Sequence, residues 1–131
     1  KAALGSDIIP VFSNDRHMVK LFKEACWHSG ELCWQMPLYK NYLKLLKSHV
    51  ADLKNHSKDP PSTIAGALFL NEFVEHDTRW MHIDIGGHEF REEEFSYLPC
   101  GATALGMRSL IRFYLHVAGE DIGKDSEECE E

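Results

Sequence analysis

Four side chains that could bind a metal ion lie in one short segment of the sequence. The segment WMHIDIGGHEF, residues 80–90, contains His82, Asp84, His88 and Glu89. Imidazole nitrogens and carboxylate oxygens are ligands that zinc and related divalent cations take from proteins. The composition of this segment therefore raises the hypothesis of a metal site.

The hydrophobic pattern argues against convergence of all four side chains. Apolar residues alternate with His82 and Asp84, which indicates a strand that carries these two polar residues on one face. His88 and Glu89 follow two glycines and are expected to begin an exposed loop. We therefore favour the alternative in which His82 and Asp84 are hydrogen-bonded polar residues within a sheet.

No other part of the sequence supplies a recognisable catalytic motif. The 131 residues contain no G-x-S-x-G elbow, no P-loop and no H-E-x-x-H helix, and the eight histidines are scattered. The residue types alone assign no catalytic residue and no metal ligand.

The first half of the chain predicts a strand followed by helices. DIIPVFS is an apolar run, and a helix capped by Ser13 or Asn14 is expected to follow it and to end near Gly30. A second helical pattern begins at Pro37. HSKDPPST predicts a loop that ends in a helix cap at Ser62 or Thr63.

The second half of the chain predicts one strand between two helices. IAGALFLNEFVEH is apolar nearly all round, which is typical of a helix packed closely on both sides at Gly66. After the strand at residues 80–87, YLPCGAT is predicted to be a loop. The last helix should bury a stripe that consists of Met107, Leu110, Ile111, Tyr114, Leu115 and Ala118.

Helices that alternate with a few apolar strands predict an α/β fold with a partial mixed sheet flanked by helices. Two or three strands are too few for a complete sheet, so we expect residues 1–119 to be part of a larger domain. Residues 120–131 hold seven acidic residues and one lysine. This acidic tail is expected to be disordered, because like charges repel and it has little apolar surface to bury.

Composition excludes several classes of protein. Basic faces with interleaved aromatic residues are missing, which argues against nucleic-acid binding. The apolar runs are shorter than a membrane span and no signal peptide opens the sequence, so no membrane association is expected. The four cysteines show no C-x-x-C spacing and are expected to be reduced thiols in an intracellular protein.

Six segments of the sequence resemble, in order and in spacing, the C-terminal portion of the leucyl aminopeptidase family, the cytosol aminopeptidases. They are VFSND (11–15), SGELCWQMPLY (29–39), VADLKN (50–55), ALFLNEFV (67–74), WMHIDIGG (80–87) and YLPCGATALGMRSL (97–110). The resemblance implies the C-terminal part of a metallo-aminopeptidase catalytic domain.

The resemblance also implies an activity and an assembly. Family members are hexameric cytoplasmic or organellar exopeptidases that remove N-terminal residues from peptides with two divalent cations, zinc or manganese. Their metal ligands and catalytic arginine lie in segments that precede the matching region, one of them reading N-T-D-A-E-G-R, and neither segment occurs in these 131 residues. This chain alone is therefore expected to bind no metal and to need the remainder of the catalytic domain or a complementing chain.

The resemblance places the opening segment at the wall of the substrate pocket. Gly86, Gly87 and Glu89 are implied to border the space for the substrate's N-terminal side chain. Gly86 replaces the usual alanine and Glu89 replaces an apolar residue, which argues against a preference for leucine. Ala104 replaces a glycine of the family's GATG pattern.

Two hypotheses of different classes follow. The first is part of an active aminopeptidase that contributes pocket wall and subunit contacts. The second is a non-catalytic scaffold or assembly protein derived from the same fold. The sequence upstream of the matching region discriminates between them, because an intact N-T-D-A-E-G-R segment favours the first.

Overall fold

The computed structural model of the chain describes residues 4–57, 60–94 and 98–119. The chain forms three α-helices, one 3₁₀ helix and five short strands within these ranges. In chain order they are β1 (Ile8–Ser13), α1 (Arg16–His28), β2 (Leu32–Gln35), the 3₁₀ helix (Lys40–Leu46), α2 (Ser62–Asn71), β3 (Met81–Ile83), β4 (Phe90–Arg91), β5 (Gly101–Ala102) and α3 (Met107–Val117). No helix in the described ranges is long and apolar enough to cross a membrane.

The main sheet has three strands in the order β2-β1-β3. β1 pairs in parallel with β2, and α1 is the crossover connection between these two strands. β1 pairs antiparallel with β3. β4 and β5 form a separate antiparallel pair. The predicted α/β fold with a partial mixed sheet is therefore confirmed.

Two hydrophobic clusters cover the two faces of β1. Ile9 and Val11 belong to the first cluster, with residues of α1 and α3. Phe12, on the opposite face, belongs to the second cluster, with residues of α2 and the 3₁₀ helix. Burial on both faces explains why IIPVF is an uninterrupted apolar run. The sheet thus lies between two helical layers.

The start of α1 differs from the prediction. Its N-cap is Asp15, whose Oδ1 accepts a hydrogen bond from the Met18 amide at 3.0 Å. Ser13 and Asn14, the predicted caps, instead hydrogen-bond the segment that leads into β3, at Trp80 and Thr78. Both side chains bind a segment that is distant in sequence. The local capping rule therefore placed the N-cap of α1 one or two residues too early.

The next two helices also differ from the sequence pattern. The segment after Pro37 forms a 3₁₀ helix that starts only at Lys40, not an α-helix. α2 begins at Ser62 with Pro61 at its N-cap position and has no side-chain cap, so the predicted caps were wrong. Gly66 is exposed and a Cβ added there would meet no atom within 4 Å. Within the described residues, α2 is packed on one side only.

The C-terminal region corrects two further predictions. Part of YLPCGAT is not a loop, because Gly101–Ala102 form β5. In α3 the buried residues are Ser109 and Phe113, with Leu110 partly buried against the first cluster. Of the predicted stripe, four residues are exposed: Met107, Ile111, Tyr114 and Ala118. Residues 120–131, predicted to be a disordered tail, lie outside the described residues.

Candidate functional site

The turn after β3 is built around the carboxylate of Asp84. The Asp84 amide extends the strand pairing by donating to the Pro10 carbonyl at 3.0 Å. Its Oδ1 then accepts a hydrogen bond from the Gly86 amide at 3.0 Å. A Cβ on Gly86 would lie 3.2 Å from this same Oδ1, and Gly87 has a left-handed φ of 83°. The two glycines therefore fit the local backbone, and the Asp84 carboxylate is committed to the turn.

His82 contributes aromatic packing. Its ring stacks on Trp80, with ring centroids 6.2 Å apart and planes 8° from parallel, and on Phe12, with centroids 5.9 Å apart. Partial burial lowers the pKa of His82, and the Asp84 charge opposes this effect. The alternation of β3 is confirmed, since Met81 and Ile83 pack against the first cluster on the other face.

The lowered pKa of His82 predicts a dependence of stability on pH. The unfolded chain binds a proton at this histidine at a higher pH than the folded chain does. The free energy of unfolding should therefore fall as the pH drops below about 6.5. In His82→Phe, which keeps an aromatic ring at this position, urea unfolding between pH 8 and pH 5 should show a weaker loss of stability. An unchanged pH dependence in this variant would contradict the assignment.

His88 occupies a different place from the exposed loop predicted for it. Its side chain is buried, with a residue exposure of 2%, and Nδ1 lies 2.9 Å from the Ser6 carbonyl oxygen. Because a carbonyl only accepts hydrogen bonds, Nδ1 carries the proton. The Thr103 hydroxyl donates to the His88 carbonyl at 2.6 Å. His88 is thus a buried connection between the chain before β1 and the chain before α3, which no local pattern signals.

A cleft of about 520 Å³ adjoins the turn. Gly87 and Glu89 line this acidic cleft, whereas Gly86 is not among its lining residues. The other residues that line it are Ser6, His88, Phe90, Arg91, Glu92, Glu93, Glu94 and Thr103. Glu89 and Glu92 to Glu94 are exposed, and the guanidinium of Arg91 is paired with Asp7 at 2.8 Å. The cleft therefore presents a strongly negative surface.

The geometry around the turn does not assemble the metal site that the composition first suggests. Asp84 binds a turn amide, His82 is stacked between rings and His88 is turned toward Ser6. Among residues 4–57, 60–94 and 98–119, no group of three or more His, Cys, Asp or Glu side chains is placed to hold a metal ion.

Sequence reasoning missed Glu31, which positions the loop before α3. Its buried carboxylate accepts hydrogen bonds from the Gly106 amide at 3.0 Å, the Ser109 amide at 3.1 Å and the Ser109 hydroxyl. The Arg108 Nε lies 3.6 Å from Oε1. A carboxylate at the start of a helix accepts hydrogen bonds from backbone amides that have no partner within the helix. Its negative charge also interacts favourably with the positive end of the helix dipole. The only sequence signal was an acidic residue inside the otherwise apolar stretch GELCW.

The loop that Glu31 holds contains two residues with a left-handed backbone conformation. Ala104 has a φ of 48°, in the left-handed region that glycine adopts more readily, and Gly106 has a φ of 85°. Thr103 follows β5 directly, and its hydroxyl accepts a hydrogen bond from the Leu105 amide at 3.2 Å.

Comparisons with known proteins agree on one family. A sequence profile described as "Cytosol aminopeptidase family, catalytic domain" matches residues 1–111. A probable cytosol aminopeptidase of Prochlorococcus marinus (strain MIT 9215) is 40% identical over 111 residues, which are 85% of this chain and 23% of that protein. The chain thus spans about a quarter of the length of the curated relatives that it matches.

Two solved structures share the fold. The bottromycin maturation enzyme BotP in complex with Mn matches with a TM-score of 0.86 and 30% identity, over 89% of this chain and 26% of that one. A mutant of tomato leucine aminopeptidase matches with a TM-score of 0.79 and 32% identity, over 88% of this chain and 22% of that one. Similarity in sequence and in structure therefore extends over most of the chain.

Proposed function

Since this chain belongs to the cytosol aminopeptidase family, we propose that it forms part of the catalytic domain of an aminopeptidase that removes N-terminal residues from peptides with two divalent cations. The observation that carries this proposal is the match of both sequence and fold over most of the chain. The family is one of metallo-aminopeptidases, and BotP was solved with manganese, so zinc or manganese is the proposed metal. The cytoplasm is the proposed compartment.

The proposed role of this chain is to shape the site and the assembly. The described residues offer no group that fits a metal, so the metals would be held by another part of the catalytic domain. We assign to the turn after β3 the wall of the pocket for the substrate's first side chain, formed by Gly86, Gly87 and Glu89. The hydrogen bond between Asp84 and Gly86 fixes the turn in place.

The open faces of the chain support a partner that completes the domain. β2 is an edge strand in the described sheet, and its Leu32 and Trp34 are 55% and 61% exposed. An unpaired edge that carries large apolar side chains favours pairing with a further strand. We propose that the remainder of the catalytic domain, or a complementing chain, covers this edge, within a homo-hexamer of the complete protein.

Co-expression tests this proposal. The chain would be produced together with the upstream portion of a family enzyme, and the purified complex assayed for hydrolysis of leucyl and lysyl arylamides with Mn²⁺ or Zn²⁺. We expect a stable complex and turnover that a chelator abolishes. A stable complex without turnover, in the presence of an intact upstream portion, would favour the scaffold hypothesis instead.

Glu89 provides a prediction about the substrate. A carboxylate on the pocket wall beside Glu92 to Glu94 should attract a basic first side chain and disfavour an apolar one, since an apolar group would desolvate the charge. In the active complex, Glu89→Met should lower the ratio of kcat/KM for lysyl over leucyl substrate by about tenfold, which corresponds to ~1.4 kcal/mol. Glu75→Met, at an exposed glutamate outside the cleft, is the matched control. An equal ratio of kcat/KM in the Glu89 and Glu75 variants would show that Glu89 does not line the substrate pocket.

A further inference from the structure

Thr103 binds the backbone on both sides of Glu89. Its hydroxyl donates a hydrogen bond to the His88 carbonyl at 2.6 Å, and its amide donates to the Glu89 carbonyl at 3.1 Å. These carbonyls belong to the two peptide groups that flank the Cα atom of Glu89. Since the backbone at the Cα atom sets where a side chain starts and points, Thr103 is placed to fix the position of the Glu89 carboxylate.

The same hydroxyl also binds the loop before α3. It accepts a hydrogen bond from the Leu105 amide at 3.2 Å. Gly106, the next residue, donates its amide to the buried carboxylate of Glu31 at 3.0 Å. A hydroxyl group has one proton to donate and lone pairs to accept, so the bonds to His88 and Leu105 form together. Thr103 therefore connects the segment that carries Glu89 to a loop that a buried carboxylate holds.

The rest of the turn is fixed mainly before Glu89. The Asp84 amide donates to the Pro10 carbonyl at 3.0 Å, and Nδ1 of His88 donates to the Ser6 carbonyl at 2.9 Å. The strand that follows Glu89, β4, has only two residues and pairs with the equally short β5. A strand pair of this length is weak on its own. Loss of the Thr103 hydroxyl would therefore loosen the wall at Glu89 while the start of the turn stays in place.

We propose that Thr103 is a positioning residue for substrate specificity, which holds the Glu89 carboxylate where it meets a basic first side chain of the substrate. This inference rests on the proposed function. Thr103 and Glu89 both line the acidic cleft. The attraction between two charges depends on their distance, and a correctly placed group interacts more strongly than a mobile one. A carboxylate on a loosened backbone therefore discriminates less between a basic and an apolar side chain.

Three substitutions separate the role of the hydroxyl from general destabilisation. Thr103→Val keeps the shape of the side chain and removes both hydrogen bonds of the hydroxyl, whereas Thr103→Ser retains the hydroxyl. Ser13→Ala is the matched control. The Ser13 hydroxyl likewise donates to a carbonyl distant in sequence, that of Trp80 at 2.5 Å, and accepts from a nearby amide, that of Asp15 at 2.9 Å. Ser13 pairs with Met81, at the end of β3 away from the turn.

Kinetics of the co-expressed complex test the proposal. Thr103→Val should lower the ratio of kcat/KM for lysyl over leucyl arylamide by about fivefold. Thr103→Ser and Ser13→Ala should keep this ratio within about twofold of the native value. In a Glu89→Met background, Thr103→Val should cause no further fall, because Thr103 acts through Glu89. An unchanged ratio in Thr103→Val, an equal fall in Ser13→Ala, or the same additional fall in the Glu89→Met background would overturn the proposal.

Hydrogen exchange of the same complexes distinguishes a failure of this inference from a failure of the proposed function. Amide exchange in residues 84–91, followed by mass spectrometry, should be at least about threefold faster in Thr103→Val than in the native complex, and unchanged in the other two variants. A native complex without turnover would refute the proposed function. Faster exchange in Thr103→Val would then still identify Thr103 as the residue that fixes the Glu89 backbone, and equal exchange would overturn that role as well.

Discussion

Glu31→Ala is expected to destabilise the protein by about 3–5 kcal/mol. The substitution removes the acceptor for the amides of Gly106 and Ser109 and for the Ser109 hydroxyl. Each buried donor left without a partner costs roughly 1–3 kcal/mol. Arg108 adds little to this sum because its side chain is 49% exposed. A loss of this size is a large share of the usual stability of a domain.

Urea unfolding of the variant protein measures this effect, and two further variants define its origin. Glu24→Ala removes an exposed glutamate of α1 whose Oε1 lies 3.8 Å from Nζ of Lys20, and it should change stability by no more than about 0.5 kcal/mol. Glu31→Gln keeps the volume and one carbonyl acceptor but turns an amide toward a backbone donor, so an intermediate loss of about 2 kcal/mol is expected. Equal stability of Glu31→Ala and Glu24→Ala would show that the carboxylate does not hold the loop.

The 131-residue chain on its own is expected to hydrolyse no aminopeptidase substrate. Two-metal peptidases generate their nucleophile by lowering the pKa of a metal-bound water, and the described residues hold no group that fits a metal. Purified chain would be incubated with leucyl arylamide and with Zn²⁺ or Mn²⁺, beside the co-expressed complex as a positive control. The rate should stay at the level of buffer with metal.

The comparison between the lone chain and the complex separates the possible origins of activity. Turnover in the complex but not in the lone chain assigns the metals to the upstream portion. Chelator-sensitive turnover that elutes with the lone chain would contradict the expectation and would place a metal site among its own residues. A Glu31→Ala sample serves as the control for a contaminating peptidase, because turnover that belongs to this chain should fall when its fold is destabilised.

The short-range patterns of the sequence predicted much of the fold. The alternation of His82 and Asp84 with apolar residues identified β3, and the uninterrupted apolar run at residues 8–12 predicted β1. The helical periods located α1, α2 and α3, with errors of a few residues at their ends. These features depend on neighbours within about one helical turn or one strand, so they are present in the local sequence.

The same patterns failed where an apolar residue could face either the core or an open surface. In α3, Met107, Ile111 and Tyr114 keep helical spacing as well as Leu110 and Phe113 do, yet only the second group packs against the first cluster. The sequence of α3 alone does not predict which of its two apolar stripes packs against α1. For the pocket wall, the sequence supplied Gly86, Gly87 and Glu89 through family resemblance, and that assignment remains a prediction.

By itself, the sequence determined the α/β class and the family, but of the five strands it predicted only β1 and β3. The tertiary structure alone decided the roles of Glu31 and His88. Glu31 reaches a helix start 75 residues further along the chain, and His88 binds a carbonyl 82 residues before it. A local pattern cannot encode such contacts, because the partner of a buried polar group is set by where the folded chain returns. Both residues read as ordinary polar side chains in sequence, and only burial next to a distant backbone gives them their structural roles.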